Sequence, residues 1–365
     1  MAYESPFDLA VHPPQPQSFI RRRQCAFVAL AFVALAFGAI LLFAVPLGAE
    51  TADPRISVID LAEDLTPRAV NGPAPLTSMR GQASERRLRE GNVVGVVLPI
   101  HEPRPAVALD MAPEVAFHDL DRWLSQPGEF HRAGCGGGPE RIRTWLTLDG
   151  GAELVKNPSK IALWVTRGVR IFGLVGATDN ELATSFTDPP PGPVVGLTSM
   201  GSDVVRWIYA AGGIVDIASG SAMSREDVIT IANGMNAPVV AISANARALA
   251  DDPRNLNDSE LRAVGASGGV VAVSFDEHRV VRGRTASLGD VVRQILHIAK
   301  IAGIDHVAIG SGYESVRPPD GLETTARFPA LARALLATGM SHDGVERVFS
   351  HNALRVLCPP SASKR

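Results

Sequence analysis

Carboxylate and imidazole side chains directly follow several short apolar segments of this chain, and they are its candidates for chemistry. Side chains of these types, converging from several strands, can hold two zinc ions that activate water for hydrolysis. The candidates are Asp60, Glu63, Asp64, His101, Glu102, Asp149, Asp276, Glu277 and His278. Of the nine histidines, only His101 and His278 occupy such a position, so the sequence offers few imidazole ligands for a metal centre.

Eight apolar segments must position these side chains. Most are rich in Val and Ile and mainly apolar rather than alternating, which is typical of parallel strands buried on both faces. They lie at 56–60, 93–100, 143–148, 168–175, 213–218, 238–243, 269–275 and 306–310. Helical patterns follow at 199–212, 224–235, 257–267, 287–303 and 328–339. The alternation predicts an α/β fold, a (β/α)8 TIM-like barrel, whose chemistry would lie at the carboxyl ends of the strands.

An open doubly wound sheet is the alternative architecture. It is disfavoured because no Gly-rich phosphate-binding loop follows the first apolar segment. In either fold, the segments at 132–140 ("RAGCGGGPE") and 187–193 ("TDPPPGP") read as loop insertions.

The N-terminal region predicts a membrane segment. Residues 25–47 form an uncharged apolar run of 23 residues, long enough as a helix to cross a hydrocarbon core of roughly 30 Å. Arginines at 21–23 precede this run, which favours a cytoplasmic N-terminus and an exported C-terminal part. We therefore expect a disordered cytoplasmic tail at 1–20, a transmembrane anchor or uncleaved signal at 21–49, the barrel at 50–357 and a tail at 358–365. Cleavage after Ala49 remains the alternative.

Composition and charge exclude some function classes. A formal charge of −3 provides no basic stripe for phosphates, so nucleic acid is not an expected partner. The three cysteines are too few for a disulfide framework or a zinc knuckle. Cys135 and Cys358 are expected to be free thiols, with a bridge between them as the alternative, and the glycine-rich surroundings of Cys135 argue against a catalytic thiol.

Several stretches together resemble the membrane (renal) dipeptidase family, zinc peptidases with an amidohydrolase-like barrel. The stretches are "IDLAEDL" (59–65), "LTLDGGAEL" (146–154), "VDIAS" (215–219), "ISAN" (242–245), "RNLND" (254–258), "HVAIGSGYES" (306–315) and the closing segment 321–356. The family counterparts read vDgHnDl, l.iEGg..l, vDlSH, fSHS, RN..D and hvgiGsDfdG. The resemblance is strongest from 196 to 357, and it implies a barrel of the metallo-dependent hydrolase type.

The resemblance leaves three family roles with a plausible side chain. Asp64 matches a metal-binding carboxylate, and Asp149 matches the glutamate that bridges the two zinc ions. Arg254 matches the arginine that pairs with the substrate carboxylate. The alternatives for Asp64 and Asp149 are solvated or hydrogen-bonded loop carboxylates, or a weak site for a single cation with help from Glu63. The alternative for Arg254 is that it holds its own loop in place ahead of a helix N-cap at Asn257.

The resemblance implies that the other roles are lost. Ala62, Ser219 and Ala244 stand where the family has zinc-binding histidines. Gly176 lies near the position of a substrate-contacting histidine, and Gly312 replaces the acid that handles the catalytic water. Two zinc ions would serve the family, but no cofactor is expected here, since zinc generally takes three or four protein ligands. The charged residues at 101–102 and at 276–278 are expected to lie in solvated loops, with a new site as the alternative.

Two functions follow from this pattern. The first is a membrane-anchored pseudopeptidase that binds a small carboxylate-bearing peptide or a protein partner, as a homodimer or a heterodimer with an active relative. The alternative is a metallodipeptidase with a reduced or relocated metal site. The small number of histidines at strand ends favours the first.

Overall fold

Nine parallel strands form one sheet in the part of the chain that the computed structural model describes, residues 56–70, 76–77, 80–101, 113–132, 135, 141–187 and 193–359. They are β1 (Val58–Asp60), β2 (Val93–Ile100), β3 (Phe130–Arg132), β4 (Ile142–Leu148), β5 (Val169–Gly173), β6 (Ile214–Asp216), β7 (Val239–Ala244), β8 (Val270–Val273) and β9 (Val307–Ile309). The order is β2-β1-β9-β8-β7-β6-β5-β4-β3, and β2 also pairs with β4. That pairing closes eight strands into the predicted barrel.

The strand β3 is the one strand of this sheet that the sequence did not predict. It lies outside the closed ring and pairs with the first residues of β4, with Phe130 opposite Ile142 and His131 opposite Arg143. Its sequence, Phe-His-Arg, has a single apolar residue. A hydrophobic pattern therefore cannot reveal it, and its place is set by pairing with β4.

Helices surround the barrel, and the last of them closes one of its ends. They are α1 (Thr66–Val70), α2 (Glu85–Glu90), α3 (Pro113–Leu124), α4 (Ala152–Lys156), α5 (Ile161–Thr166), α6 (Ser199–Ala210), α7 (Ala222–Gly234), α8 (Asp258–Ala266), α9 (Glu277–Val280), α10 (Leu288–Ala302), α11 (Phe328–Ala337), α12 (His342–Glu346) and α13 (Asn352–Leu357). Shorter turns are 3-10 helices at Pro158–Lys160, Ile304–His306 and Thr325–Arg327 and a π-helix at Arg347–His351. The five predicted helices correspond to α6, α7, α8, α10 and α11, with ends within two residues.

The end of the barrel at the amino termini of the strands is filled by the last helix. Val356 and Leu357 of α13 pack in one apolar cluster with residues of the barrel interior, Ile59, Val97, Trp145, Ile171, Val240 and Ala308. The opposite end, at the carboxyl termini of the strands, carries a cavity instead.

A disulfide joins Cys135 to Cys358, so the expectation of two free thiols is wrong and the alternative holds. The two residues are 223 positions apart, and their Cα atoms lie 5.3 Å from each other. Closure of the barrel brings Cys135, which follows β3, next to the end of α13. Spacing along the chain contains no trace of this proximity.

No helix in the described ranges is long and apolar enough to cross a membrane. The predicted anchor at 25–47 and the predicted tail at 1–20 lie outside the residues that the structure describes.

Candidate functional site

A cavity of about 540 Å³ opens where the barrel strands end. Its walls include Ala62 and Asp64 after β1, Asp149 after β4 and Gly312 after β9. Gly176, Ser219 and Arg254 line it as well. Ala244 is fully buried at the end of β7, where Ile242 and Ser243 line the cavity instead. The fold thus gathers the predicted site positions around one space, with Ala244 behind its wall.

His101 connects the two carboxylates that the sequence singled out. Its Nε2 lies 3.1 Å from Asp64 Oδ1, and its Nδ1 lies 3.2 Å from Asp149 Oδ2. A carboxylate only accepts hydrogen bonds, so both ring nitrogens donate when the imidazole carries two protons. The expectation that His101 lies in a solvated loop is wrong, because only a fifth of its side chain is exposed.

The protonation of His101 follows from this geometry. Burial disfavours the imidazolium, but hydrogen bonds to Asp149 and Asp64, together with their negative charges, raise the pKa of His101 to about 10. At neutral pH the imidazole is therefore a cation that contacts both carboxyl groups. The position of His101 was foreseeable from the predicted barrel. His101 follows β2, and β2 lies between β1 and β4, whose ends carry Asp64 and Asp149.

The carboxylates at the end of β1 other than Asp64 are buried and do not line the cavity. Asp60 is fully buried, and its Oδ1 accepts hydrogen bonds from the backbone N–H groups of Ala62 and Ser311, each at 3.0 Å. Burial, and then the nearby charge of Asp60, raise the pKa of Glu63 well above its ordinary value. Asp60 therefore fastens β1 to β9, and Glu63 does not join Asp64 at the cavity.

Asp216 is a cavity residue that sequence reasoning missed, although it lies in the quoted stretch 215–219. Its Oδ1 accepts hydrogen bonds from the backbone N–H groups of Ala218 at 3.1 Å and Ile242 at 3.0 Å. Burial raises its pKa to about 7, and the charge of Asp149 adds to this. Asp216 thus holds the ends of β6 and β7 together at the cavity wall.

Arg254 reaches the cavity from a loop that buried amides hold in place. Asn255 is fully buried and donates to the carbonyl oxygens of Ala250 at 2.9 Å and Arg279 at 2.8 Å. Asn257 caps α8 in a capping box with Glu260, as predicted. The segment 254–258 therefore begins a helix and places Arg254 in the cavity wall, while a role of Arg254 in binding a carboxylate stays a prediction.

The charged run after β8 forms a helix start and an ion pair, which corrects its prediction as a solvated loop. Asp276 caps α9, and its Oδ2 accepts a hydrogen bond from Arg279 Nε at 3.0 Å. Both side chains line the cavity, and Glu277 is buried. Only His278 is exposed in the way the sequence suggested, at 78% of its side chain.

The loop after β9 has a conformation that suits glycine at 312. Gly312 has a φ of 78°, and a Cβ atom there would lie 2.9 Å from Val316 Cγ1. Glu314, also at positive φ, turns its carboxylate away from the cavity, where Oε1 accepts hydrogen bonds from the Gln82 and Ala83 backbone N–H groups at 2.6 and 2.7 Å. Neither residue presents an acid to the cavity.

The sequence matches one family model over residues 53–361, most of the chain, and that model describes membrane dipeptidase, peptidase family M19. The chain belongs to the membrane dipeptidase family. This confirms the resemblance noted from the motifs, and the closed parallel barrel agrees with it.

Relatives of this membrane dipeptidase family member include both curated proteins and solved structures. An uncharacterised protein in the pqqA 5′ region of Klebsiella pneumoniae is 37% identical over 173 residues, 46% of this chain and 62% of that protein. Dipeptidase ataJ of Aspergillus terreus is 27% identical over 316 residues, 76% of each chain. This chain therefore covers less than two thirds of the Klebsiella protein.

One solved structure supports the fold. A metallo peptidase from Rhodobacter sphaeroides, liganded with a phosphinate mimic of the dipeptide L-Ala-D-Ala, superposes with a TM-score of 0.72. Its identity is 20%, over 83% of this chain and 98% of that chain. At this identity, the similarity establishes the barrel and leaves the chemistry to the side chains of this chain.

The zinc ions of the membrane dipeptidase family have few matching ligands here. Asp64 and Asp149 remain, but they face opposite nitrogens of one imidazole, so the three groups do not converge on a common point. Among the described residues, no group of three or more His, Cys, Asp or Glu side chains could hold a metal ion. The side chains present do not fit a two-zinc centre.

Proposed function

We propose that this chain is a membrane-anchored pseudopeptidase of the membrane dipeptidase family, which binds a small carboxylate-bearing peptide at the barrel mouth without hydrolysing it. The observation that carries the proposal is the placement of His101 between Asp64 and Asp149. An imidazolium there neutralises the two carboxylates that the family uses for zinc. A metal ion that approached either carboxylate would also meet the positive charge of this imidazolium at short range.

The absence of hydrolysis follows from three further positions. Ala62 offers no ligand atom, Ser219 offers only a weak neutral one, and Gly312 has no side chain to act as a general base. Without a Lewis acid, an attacking water molecule keeps its high pKa. His101 cannot replace the missing base, because both of its nitrogens face carboxylates.

The capacity to bind rests on the cavity and on Arg254. The volume of about 540 Å³ lies within the usual range of small-molecule sites, roughly 300–1,000 Å³. Three cations line the cavity, and two of them are paired, His101 with two aspartates and Arg279 with Asp276. Within the described ranges, Arg254 has no carboxylate partner, so its guanidinium is available for the carboxylate of a ligand.

The proposed location is the membrane, with the barrel exported. The Cys135–Cys358 disulfide supports this, because disulfides persist mainly in oxidising compartments. The apolar run at 25–47 would be the single anchor, with residues 1–20 in the cytoplasm. A homodimer, or a heterodimer with an active relative, is part of the proposal, and a reporter fused to the C-terminus tests the topology by its activity outside the cytoplasm.

The experiment uses the full-length chain in detergent with L-alanyl-D-alanine as the probe. We expect calorimetric binding of the dipeptide and no release of alanine, even with added zinc. Arg254→Gln should abolish binding. Turnover that disappears in Asp149→Asn would contradict the proposal and support a second candidate, a hydrolase with a reduced metal site. That candidate is favoured only by the presence of Asp64, His101 and Asp149 at one cavity.

A further inference from the structure

The segment that precedes the insertion at 187–193 is fastened across the cavity wall. Phe186 donates its backbone N–H to the carbonyl of Ser219 at 2.9 Å, and Ser221 donates to the carbonyl of Thr184 at the same distance. The Ser185 backbone N–H also reaches Asp179 Oδ1 at 2.8 Å. These bonds fix the backbone at Phe186, which is one of the residues that line the cavity.

Phe186 stacks against the unpaired cation of the cavity. The Arg254 guanidinium carbon lies 4.6 Å from the centre of the Phe186 ring. The guanidinium donates hydrogen bonds in its own plane, and the aromatic ring offers these N–H groups no lone-pair acceptor, so they remain for another partner. Arg254 Nε is buried and has no acceptor among the described residues.

A second arginine in this protein contacts an aromatic ring and also has its hydrogen-bond donors paired. Arg167 lies 4.5 Å from the centre of the Phe117 ring, and its guanidinium also pairs with Glu114 and Asp121. Arg167 therefore has both a ring contact and carboxylate partners within the chain. Arg254 has the ring contact and, among the described residues, no carboxylate partner, which leaves its N–H groups for a ligand.

We infer that Phe186 is a positioning residue that fixes the plane of Arg254, so that the guanidinium edge presents paired N–H groups to a ligand carboxylate. This inference rests on the proposed function, since it names the group that orients the proposed carboxylate subsite. Phe186 would act through Arg254, and its contribution should appear only for ligands that carry the carboxylate.

The experiment measures the affinity of the full-length chain in detergent for L-alanyl-D-alanine and for the same dipeptide with a C-terminal amide. Because cation–π contacts contribute a modest energy, Phe186→Leu should weaken dipeptide binding about five-fold and leave amide binding unchanged. Phe186→Trp should restore the affinity for the dipeptide. In Arg254→Gln, adding Phe186→Leu should have no further effect, because the two residues form one unit.

The outcomes separate the inference from the proposed function. If Phe186→Leu binds the dipeptide as tightly as the parent, or weakens acid and amide equally, Phe186 does not orient Arg254 and the inference fails alone. If Arg254→Gln keeps the preference for acid over amide, or the parent chain does not bind the dipeptide, the proposed function fails, and the inference fails with it.

Discussion

Replacing His101 with glutamine should remove a pH-dependent part of the free energy of unfolding. Glutamine keeps a polar side chain at the position, but it has no charge to offset Asp64 and Asp149. The two carboxylates, which hydrogen-bond to opposite nitrogens of the imidazole, would then face the cavity without their shared cation. Breaking a buried charged pair from one side is among the more destabilising single changes.

The magnitude follows from the pKa of His101. A rise from 6.5 in an unfolded chain to about 10 in the fold corresponds to a ceiling of about 5 kcal/mol. A fifth of the His101 side chain and a third of the Asp149 side chain are exposed, so solvent screens the interaction. We therefore expect a loss of about 2 kcal/mol at pH 6.

The direction of the pKa shift of His101 determines the pH range of the unfolding experiment. Because folding raises the pKa of His101, the imidazolium stabilises the fold fully below pH 6.5, and this stabilisation disappears as the pH rises through 10. Urea unfolding of the parent chain and of His101→Gln, at pH 6 to 10.5, should show a difference that shrinks across this window. His278→Gln, at another strand end with an exposed imidazole, is the matched control and should show no such trend. A difference that stays constant with pH would refute the reasoning.

Three other predictions concern the scaffold of the site. Removal of the Cys135–Cys358 bridge by a double serine substitution should lower the free energy of unfolding by about 2–5 kcal/mol, and the unreduced parent should react with no thiol reagent at these positions. Because burial raises the pKa of Asp216 to about 7, its contribution to the free energy of unfolding should fall as the pH rises from 4 to 7. Asp216→Asn should therefore flatten the plot of this free energy against pH in that range, and an unchanged slope would contradict the prediction. Gly312→Asp should not restore hydrolysis and should lower the thermal midpoint, because the positive φ and the contact with Val316 oppose a side chain there.

The barrel was readable from the sequence because its strands are buried on both faces. Uninterrupted runs such as Val93–Ile100 and Val239–Ala244 show this directly, and helix ends carried their own signals, as at Asn257. The short strand β3 had no such signal, since its position depends on pairing with β4.

The sequence predicted which residues lie at the candidate site but not how these residues contact one another. The residues at strand ends were identified singly, and Asp64, Asp149 and Arg254 do line one cavity. The side chains that contact these residues come from other strands and loops. His101 contacts Asp64 and Asp149, and Phe186 contacts Arg254. A pattern along the chain contains the residue types, but the pairing of charges is a property of the closed sheet.

The zinc content of the purified full-length chain tests the central claim most directly. After incubation with zinc and removal of the excess, elemental analysis should find the same content in the parent and in the Asp64→Asn/Asp149→Asn double variant, because His101 already occupies the space between these carboxylates. One or two additional zinc ions per parent chain, absent from the double variant, would contradict the account.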